Sequence, residues 1–249
     1  MMGKYYTRII LLLCLLFATN AYAVSPVIRM SGGDSSTCDT SNIVFWAGYN
    51  TDIDADYSTA STSATINGSL VVSEAAAKYG TYGLDVDTSL EYLYYATPSA
   101  TLDDEFKFGA WVRITTWFNT FVIFGPYYST NNFIRFMLTD DNELTLIWKD
   151  NSIERTALTT VDLSLGAGWH WIEVAAKTAD NYRQIWVDGA SVATTTASDI
   201  SSFGSPVSTF YMGTYINSGA ADVHMDNVIV STDSTDDFTD CKDLLEWPE

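Results

Sequence analysis

The stretch that decides the fold is GWHWIEVAAKTADNYRQIWVDGA, residues 168–190. In an extended strand side chains alternate between two faces, so Ile172 and Val174 share an apolar face and Trp171 lies on the opposite one. After the ADN turn, RQIWV repeats this alternation, and Asp188-Gly189 is typical of a tight hairpin turn. The stretch therefore predicts two antiparallel strands with one face turned to a core.

His170 is the residue in this stretch that could carry chemistry. It lies in register with the apolar face, and it has no acidic or nucleophilic neighbour along its strand. We interpret it as a hydrogen-bonded structural histidine. The alternative, a catalytic histidine, would need partners from other parts of the chain.

The rest of the chain continues the same strand-and-turn pattern. Short runs rich in β-branched and aromatic residues alternate with clusters of Gly, Asn, Asp and Ser, and no segment has convincing helical periodicity. This pattern predicts an all-β fold, a two-sheet antiparallel β-sandwich in one domain. The candidate strands are Ile43–Ala47, Ser69–Ser73, Gly83–Val86, Tyr92–Tyr95, Phe106–Thr115, Thr120–Phe124, Phe133–Thr139, Glu143–Lys149, Trp169–Lys177, Arg183–Val187, Ser191–Thr195, Thr209–Gly213 and Val223–Ser231.

The N-terminus has the pattern of a secretory signal peptide, residues 1–23. A basic start with Lys4 and Arg8 precedes the apolar run Ile9–Ala18, and Ala21-Tyr22-Ala23 forms a cleavage site. The apolar run is too short to span a membrane. We therefore expect a protein without a membrane span, secreted to the periplasm or the cell exterior, with a polar leader at residues 24–41.

Charge limits the class of partner. The chain has 31 Asp and Glu against 12 Lys and Arg, a formal net charge of −19. Such a surface repels phosphate backbones and anionic membranes, so nucleic acid is excluded as a partner.

Two cysteines remain after the predicted cleavage, Cys38 and Cys241, near the two ends of the mature chain. In an oxidising compartment an even pair predicts a disulfide. A metal site is the weaker interpretation, because neither cysteine has a histidine or a second cysteine near it in sequence.

Several segments together resemble the laminin-G-like jelly rolls of the concanavalin A-like lectin/glucanase superfamily. The stretch quoted above resembles that family's G-W-H-x-V strand and the following strand ending in V-D-G. Three more segments resemble family motifs in the family's order: AKYGTYGLDVDTSLEYLYYATPS, DDEFKFGAWVRITTW, and FYMGTY followed by HMDNVIVSTD.

The resemblance covers residues 42–233 and implies a jelly roll of two antiparallel sheets, one of them concave. The acidic residues 234–249 are then a C-terminal tail. Two positions depart from the family pattern: Thr88 replaces the glycine of the F-D-G turn, and Asn227 replaces the acid of the I-D-E-V motif.

No glycosidase motif is present. Laminarinase-like members of the superfamily carry E-x-D-x-x-E on one strand, which places three carboxylates on one face. That spacing is absent, and so is the G-x-S-x-G of serine hydrolases. A non-catalytic protein is therefore favoured over an enzyme.

Calcium is the cofactor that the resemblance implies. Asp87 aligns with the acid of the F-D-G turn and Asp226 with that of the I-D motif, so both are candidate ligands. Asp52, Asp54 and Asp56 in TDIDADY add a D-x-D-x-D spacing that does not fit an EF-hand. The alternative is that Asp87 and Asp226 cap loop backbone and that the triplet lies in a solvated loop.

Aromatic residues are the candidate carbohydrate-binding groups. Sugar rings stack on Trp and Tyr, while amide groups bind their hydroxyls. Two predicted loops, 115–121 and 124–133, place aromatic residues beside asparagines, and three strand tryptophans are predicted to lie on the face opposite the core. The candidate ligand-binding residues are Trp117, Phe118, Asn119, Tyr127, Tyr128, Asn131, Trp148, Trp171 and Trp186. The alternative is that these residues cover the sandwich edges.

Together these patterns favour a secreted, non-catalytic domain that binds carbohydrate or a glycan-bearing surface, with a possible role for Ca²⁺. One alternative is a structural or adhesive surface protein that binds a protein partner or itself. A glycan-cleaving enzyme with an unfamiliar site is the other.

Overall fold

The structure, a computed structural model, describes residues 38–87, 91–97, 102–116, 120–155, 157–160, 162–163, 165–196, 200–203, 207–213 and 222–243. These residues belong to one compact unit, Thr37–Glu249. Their regular structure is strand apart from two short 3₁₀ helices, and no helix within them is long and apolar enough to cross a membrane. The prediction of an all-β protein is confirmed.

The strands in chain order are β1 (Ile43–Ala47), β2 (Tyr57–Ser58), β3 (Thr65–Asn67), β4 (Val71–Ser73), β5 (Gly83–Val86), β6 (Tyr92–Ala96), β7 (Glu105–Thr116), β8 (Phe121–Ser129), β9 (Asn132–Leu138), β10 (Leu144–Asp150), β11 (Ile153–Glu154), β12 (Leu158–Thr159), β13 (Trp169–Lys177), β14 (Tyr182–Val187), β15 (Ala190–Thr195), β16 (Thr209–Gly213) and β17 (Asp222–Ser231). Short 3₁₀ helices lie at Glu74–Ala76 and Thr178–Asp180.

The strands form two antiparallel sheets. The first sheet has the order β15-β14-β13-β7-β17-β1-β2, with β5 also paired to β17 and β4 paired to β5. The second sheet has the order β11-β10-β9-β8-β16-β6-β3, with β12 also paired to β10. Because neighbours in each sheet come from distant parts of the chain, a face of either sheet collects residues that sequence alone does not group.

The hairpin predicted from residues 168–190 is present. Ile172 pairs with Val187 across β13 and β14, and both side chains enter the core. Asp188 and Gly189 at the turn have φ of 51° and 79°. Two successive left-handed residues are what a tight hairpin turn needs, so an Asp-Gly pair fits these positions.

The core lies between the two sheets and is packed with aromatic rings. On β7, Phe106 and Phe108 alternate with outward residues, and both rings contact Phe124 of the second sheet at centroid distances of 5.4 and 4.6 Å. Trp148 on β10 also belongs to this core, and its indole nitrogen donates a 3.0 Å hydrogen bond to the carbonyl of Ser201. The prediction that Trp148 lies on the face opposite the core is therefore wrong. Leu144 and Leu146 lie on the same face of β10, and the satisfied indole N–H removes the main cost of burying the ring.

The predicted loop at residues 124–133 is largely strand. β8 continues through Gly125 and Pro126 to Ser129, so Tyr127 and Tyr128 lie on a strand rather than in a loop. Pairing with β9 on one side and β16 on the other holds this segment extended. A proline removes one ladder hydrogen bond but has a φ compatible with a strand, and here tertiary pairing outweighs the local turn preference.

The outer face of the first sheet is partly covered by the segment that follows β17. We call residues 232–243 the C-terminal strap. Phe238 and Cys241 of the strap are buried against Trp111 and Trp171 of the sheet, and Cys241 forms a disulfide with Cys38. The predicted disulfide is confirmed, and residues 234–243 of the acidic tail pack on the sandwich.

Candidate functional site

The structure separates the predicted aromatic binding residues into three places. Tyr127, Tyr128 and Asn131 lie on or beside the second sheet, whereas Trp171 and Trp186 lie on the outer face of the first. Trp148 is in the core and cannot contact a surface ligand. Residues 117–119, which include Trp117, Phe118 and Asn119, lie outside the described residues. The predicted set therefore does not form one site.

Tyr127 instead belongs to a groove on the outer face of the second sheet, which we call the tyrosine groove. The groove has a volume of about 170 Å³. It is lined by residues of β6, β8 and β16, which lie side by side in the sheet: Tyr92, Tyr94, Tyr127, Thr209 and Tyr211. Four tyrosine side chains around one small depression form an aromatic surface with hydroxyl groups at its edge.

Alternation along each strand positions these tyrosines. On β6, Tyr92 and Tyr94 point outward while Leu93 and Tyr95 enter the core. On β16, Tyr211 points outward between two core residues. Tyr94 pairs directly with Tyr211 across the two strands. The period of two that builds the sandwich thus also places Tyr92, Tyr94 and Tyr211 on the outer face of the sheet.

Gly125 makes room for Tyr211. It pairs with Tyr211 across β8 and β16, and a Cβ at this position would lie 2.8 Å from Cζ of the tyrosine ring. Contacts that short do not occur without displacement of one partner. The ring of Tyr211 can therefore lie across β8 only because residue 125 is a glycine.

A cation borders the groove. Arg135 on β9 donates a 2.8 Å hydrogen bond from Nε to the hydroxyl of Tyr211, and its guanidinium lies 3.9 Å from the centroid of the Phe133 ring. Lys149 on β10 approaches the same ring at 5.3 Å. Contact with aromatic faces stabilises both cations, and the hydrogen bond fixes the orientation of the arginine.

The first sheet carries two further cavities, each lined partly by residues of the C-terminal strap. One, of about 330 Å³, is lined partly by Trp171, Glu173 and Asp188. The other, of about 460 Å³, includes Trp186, whose ring lies 4.9 Å from the ammonium group of Lys107. Trp171 is almost fully buried by the strap. The ligand-binding role of these two tryptophans stays a prediction.

His170 is hydrogen-bonded, as the sequence predicts for a structural histidine. Its Nδ1 lies 2.8 Å from Oδ2 of Asp188, the first residue of the hairpin turn, and Oδ1 of Asp188 accepts a 2.9 Å hydrogen bond from the Trp171 amide. Asp188 thus ties the turn to both the backbone and the side chain of the adjacent strand. The partner comes from the turn, so it could not be seen by reading along the strand alone.

Asp226 caps backbone in the structure. Its Oδ2 accepts hydrogen bonds from the amides of Lys78 and Tyr79 at 2.8 and 2.9 Å, and its Oδ1 accepts one from Asn227 at 2.8 Å. Asn227 has a φ of 46° and lies at a bulge in β17. Burial raises the pKa of Asp226 to about 7, although these three amides favour the charged form.

The other candidate calcium ligands are dispersed among loop contacts. Asp52 accepts a hydrogen bond from the amide of Asp54, Asp54 from Ala64, and Asp56 from Gly48. Asp87 is exposed at the end of β5. Among the described residues, no three of these five aspartates have ligand atoms within 4.8 Å of one another. Calcium binding stays a prediction from the family resemblance, and these contacts do not carry it.

A different cluster in the described residues does bring three potential ligand atoms within 4.8 Å, at Asp85, Asp222 and His224. However, Nε of Arg113 lies 3.2 Å from Nδ1 of His224. Nδ1 must accept from the arginine, so the proton of a neutral ring is on Nε2, which faces Asp222 at 3.1 Å and Asp85 at 3.3 Å. Both nitrogens are engaged without a metal, and the cluster is a hydrogen-bonded network. Burial and Arg113 lower the pKa of His224, against the two carboxylates.

Comparison with known proteins gives a fold. No protein-family model and no curated protein matches the chain. Solved structures do match: the binding domain of botulinum neurotoxin DC in complex with SialylT has a TM-score of 0.63 at 12% identity, covering 82% of this chain and 50% of that one. The same binding domain in complex with rat synaptotagmin II has a TM-score of 0.61 at 12% identity, covering 78% of this chain and 49% of that one.

A third similar structure is of botulinum neurotoxin type C, described with the finding that its cell entry depends on interaction with two ganglioside molecules. It has a TM-score of 0.61 at 12% identity and covers 78% of this chain and 49% of that one. The chain thus spans about half the length of these solved structures. At this identity the likeness shows the fold alone, a β-sandwich shared with receptor-binding domains.

Proposed function

We propose that the protein is a non-catalytic carbohydrate-binding domain and that the tyrosine groove is its binding site. The observation that carries the proposal is the convergence of Tyr92, Tyr94, Tyr127 and Tyr211 on one small groove. Tyrosine combines a flat apolar ring with a hydroxyl group, which suits a sugar, since a sugar has an apolar C–H face and polar edges. The hydroxyl of Thr209 adds a further hydrogen-bonding group.

The chemistry of the groove supports binding rather than cleavage. Glycoside hydrolysis generally needs two carboxyl groups about 5–10 Å apart on either side of the bond. The described residues that line the groove are tyrosines and a threonine, with no carboxyl group among them. Such a surface can hold a sugar but lacks the pair of carboxyl groups that glycoside hydrolysis generally uses.

The similar structures support the same class of ligand. Two of them are described with a ganglioside or SialylT, and a third with a protein, synaptotagmin II. Their ligands are properties of chains of which this chain covers about half, and this chain's own ligand is proposed from its groove. We also propose, from the signal-peptide pattern, that the protein acts outside the cytoplasm.

A glycan array probed with the purified protein tests the proposal, followed by titration of the bound glycan with the variant Tyr94→Ala. Tyr94 is 36% exposed, so its removal costs little stability. We expect at least a tenfold loss of affinity. Tyr182→Ala is the matched control, since Tyr182 lies on the first sheet beside the larger cavity.

The outcomes separate the alternatives. Loss of binding with Tyr182→Ala but not with Tyr94→Ala would move the site to the first sheet. An array without any bound glycan would reject the proposal and favour a structural or adhesive protein with a protein partner. A chelator added to the same titration tests the predicted dependence on calcium, which would appear as loss of binding on chelation.

A further inference from the structure

Two cations on the second sheet lie away from carboxylates in this acidic protein. Several Lys and Arg residues of the described ranges lie against a carboxylate. These pairs are Lys107–Glu173, Arg155–Asp150, Lys177–Glu105 and Lys242–Asp243. Arg135 and Lys149 have no carboxylate within 4.0 Å among the described residues, and both lie against the ring of Phe133.

The strands around Arg135 carry few acidic groups, although Glu154 of β11 lies directly opposite Lys149 in the sheet. The five strands β6, β8, β9, β10 and β16 form the centre of the second sheet, and their sequences contain a single acidic residue, Asp150. Asp150 is fully buried and its carboxylate binds Arg155 and Ser201. In a chain with a net charge of −19, the outer face of these strands therefore carries a net positive charge.

Arg135 is positioned at the edge of the tyrosine groove. β8 separates β9 from β16, and Gly125 has no side chain to keep Arg135 from Tyr211. Nε is used by the Tyr211 hydroxyl, which orients the plane of the guanidinium. Within the described residues, no hydrogen bond occupies its two terminal nitrogens. They present a planar donor pair that matches a carboxylate or a sulfate.

We propose that the ligand of the tyrosine groove is an acidic saccharide, whose carboxylate or sulfate group is bound by Arg135 with support from Lys149. This inference rests on the proposed carbohydrate-binding function and specifies its ligand class. The sugar ring lies on the tyrosines, and the anionic group lies toward β9 and β10. The overall negative charge does not prevent this, because at physiological salt charges beyond about 8 Å are largely screened.

The test compares acidic oligosaccharides with neutral counterparts of the same ring structure. Oligogalacturonates and 3′-sialyllactose are each titrated beside their methyl esters, and heparin oligosaccharides beside desulfated ones. The first two pairs report on carboxylate and the third on sulfate. We expect the protein to bind one acidic member at least tenfold more tightly than its neutral counterpart.

Substitutions of single residues show which side chains bind the acidic group. Arg135→Gln removes the charge but keeps an amide that can donate to Tyr211, so we expect a roughly 10- to 100-fold loss of affinity for the acidic saccharide. Affinity for a neutral counterpart that binds measurably should fall by much less. Lys149→Gln, a substitution at the surface, should lower affinity several-fold in the same direction. Lys177→Gln, which removes a lysine of the first sheet, is the matched control.

Different results would overturn the acidic ligand and the proposed carbohydrate-binding function. If the protein binds neutral glycans on the array as tightly as acidic ones, the acidic ligand is overturned and the groove is kept. The same holds if Tyr94→Ala abolishes binding while Arg135→Gln and Lys149→Gln have no effect. An array with no bound glycan of either kind would overturn both. Circular dichroism of each variant shows whether a loss of binding reflects loss of fold.

Discussion

Cys38 and Cys241 are 203 residues apart in the sequence, and a disulfide brings their Cα atoms to 4.9 Å. Cys241 is in the C-terminal strap, so the bond ties the start of the described chain to the segment that covers Trp111. Removing it with Cys38→Ser and Cys241→Ser together should lower the free energy of unfolding by about 2–5 kcal/mol, because the unfolded chain regains loop entropy. Urea unfolding monitored by tryptophan fluorescence measures the change.

Reduction of the wild-type protein should move its urea midpoint to that of the double variant, and the reductant should leave the variant unaffected. Glycan binding should persist in the folded variant, because the tyrosine groove lies on the other sheet. An unchanged midpoint in the variant would show that the strap is held by packing and the Trp111–Lys242 hydrogen bond without help from the disulfide.

Asp226 predicts a pH dependence of stability. Its pKa is raised from 3.8 to about 7 in the folded protein, chiefly by burial. The folded state therefore binds this proton more tightly than the unfolded state. Protonation of Asp226 therefore stabilises the folded state fully below about pH 4, and this stabilisation is lost as the pH rises toward 7. As the pH rises from about 4 to about 7, deprotonation of Asp226 alone should lower the free energy of unfolding by a few kcal/mol.

The variant Asp226→Asn isolates this effect, because it lacks the titrating group and keeps all others. We expect the wild type to lose more stability than the variant between pH 5 and pH 7.5 in parallel urea titrations. His224 acts in the opposite direction through its lowered pKa, but it is common to both proteins and cancels in the comparison. Parallel pH curves would contradict the raised pKa.

Much of the sandwich could be predicted from the sequence because its strands are amphipathic. In β13 and β14 the alternation of apolar and polar residues set which side chains enter the core, and Asp188-Gly189 marked the turn. The disulfide followed from the number and position of the cysteines in a chain with a predicted secretory leader. These are local or compositional signals, which a single sequence contains.

The groove could not be predicted because it depends on which strands are neighbours. Tyr94, Tyr127 and Tyr211 come from segments far apart in the chain, and only the order β8-β16-β6 brings them together. One local signal was present: in YLYYA the period of two puts Tyr92 and Tyr94 on the same face. The sequence also contained the signal for Trp148: alternation puts it on the same face of β10 as Leu144 and Leu146, and the prediction of an outward ring was wrong.

His170→Ala tests whether this histidine takes part in function. Its contact with Asp188 stabilises a hairpin of the first sheet, away from the tyrosine groove. We expect a loss of about 1 kcal/mol in the free energy of unfolding and unchanged glycan affinity. Asp188→Ala should cost more stability, since it also removes the acceptor for the Trp171 amide and places alanine at a φ of 51°. If His170→Ala folds but no longer binds glycan, the histidine belongs to the glycan-binding site.

Gly125→Ala tests the geometry of the groove without removing any of its functional groups. The added methyl group would lie 2.8 Å from Cζ of Tyr211, so the ring must move away from β8. Displacing Tyr211 disturbs both the groove wall and the hydroxyl that accepts from Arg135. We expect about tenfold weaker glycan binding by calorimetry, equivalent to about 1.4 kcal/mol, and about 1–3 kcal/mol lower stability from overpacking.

Gly166→Ala is the matched control for Gly125→Ala. A Cβ at Gly166 has no atom within 4 Å, so this variant carries the same chemical change without a contact. It should bind glycan as the wild type does and unfold at nearly the same urea concentration. If Gly125→Ala binds as tightly as Gly166→Ala, the position of the Tyr211 ring has no part in recognition. Carbohydrate binding would then have to be assigned to another surface, because the groove cannot keep its shape when that ring moves.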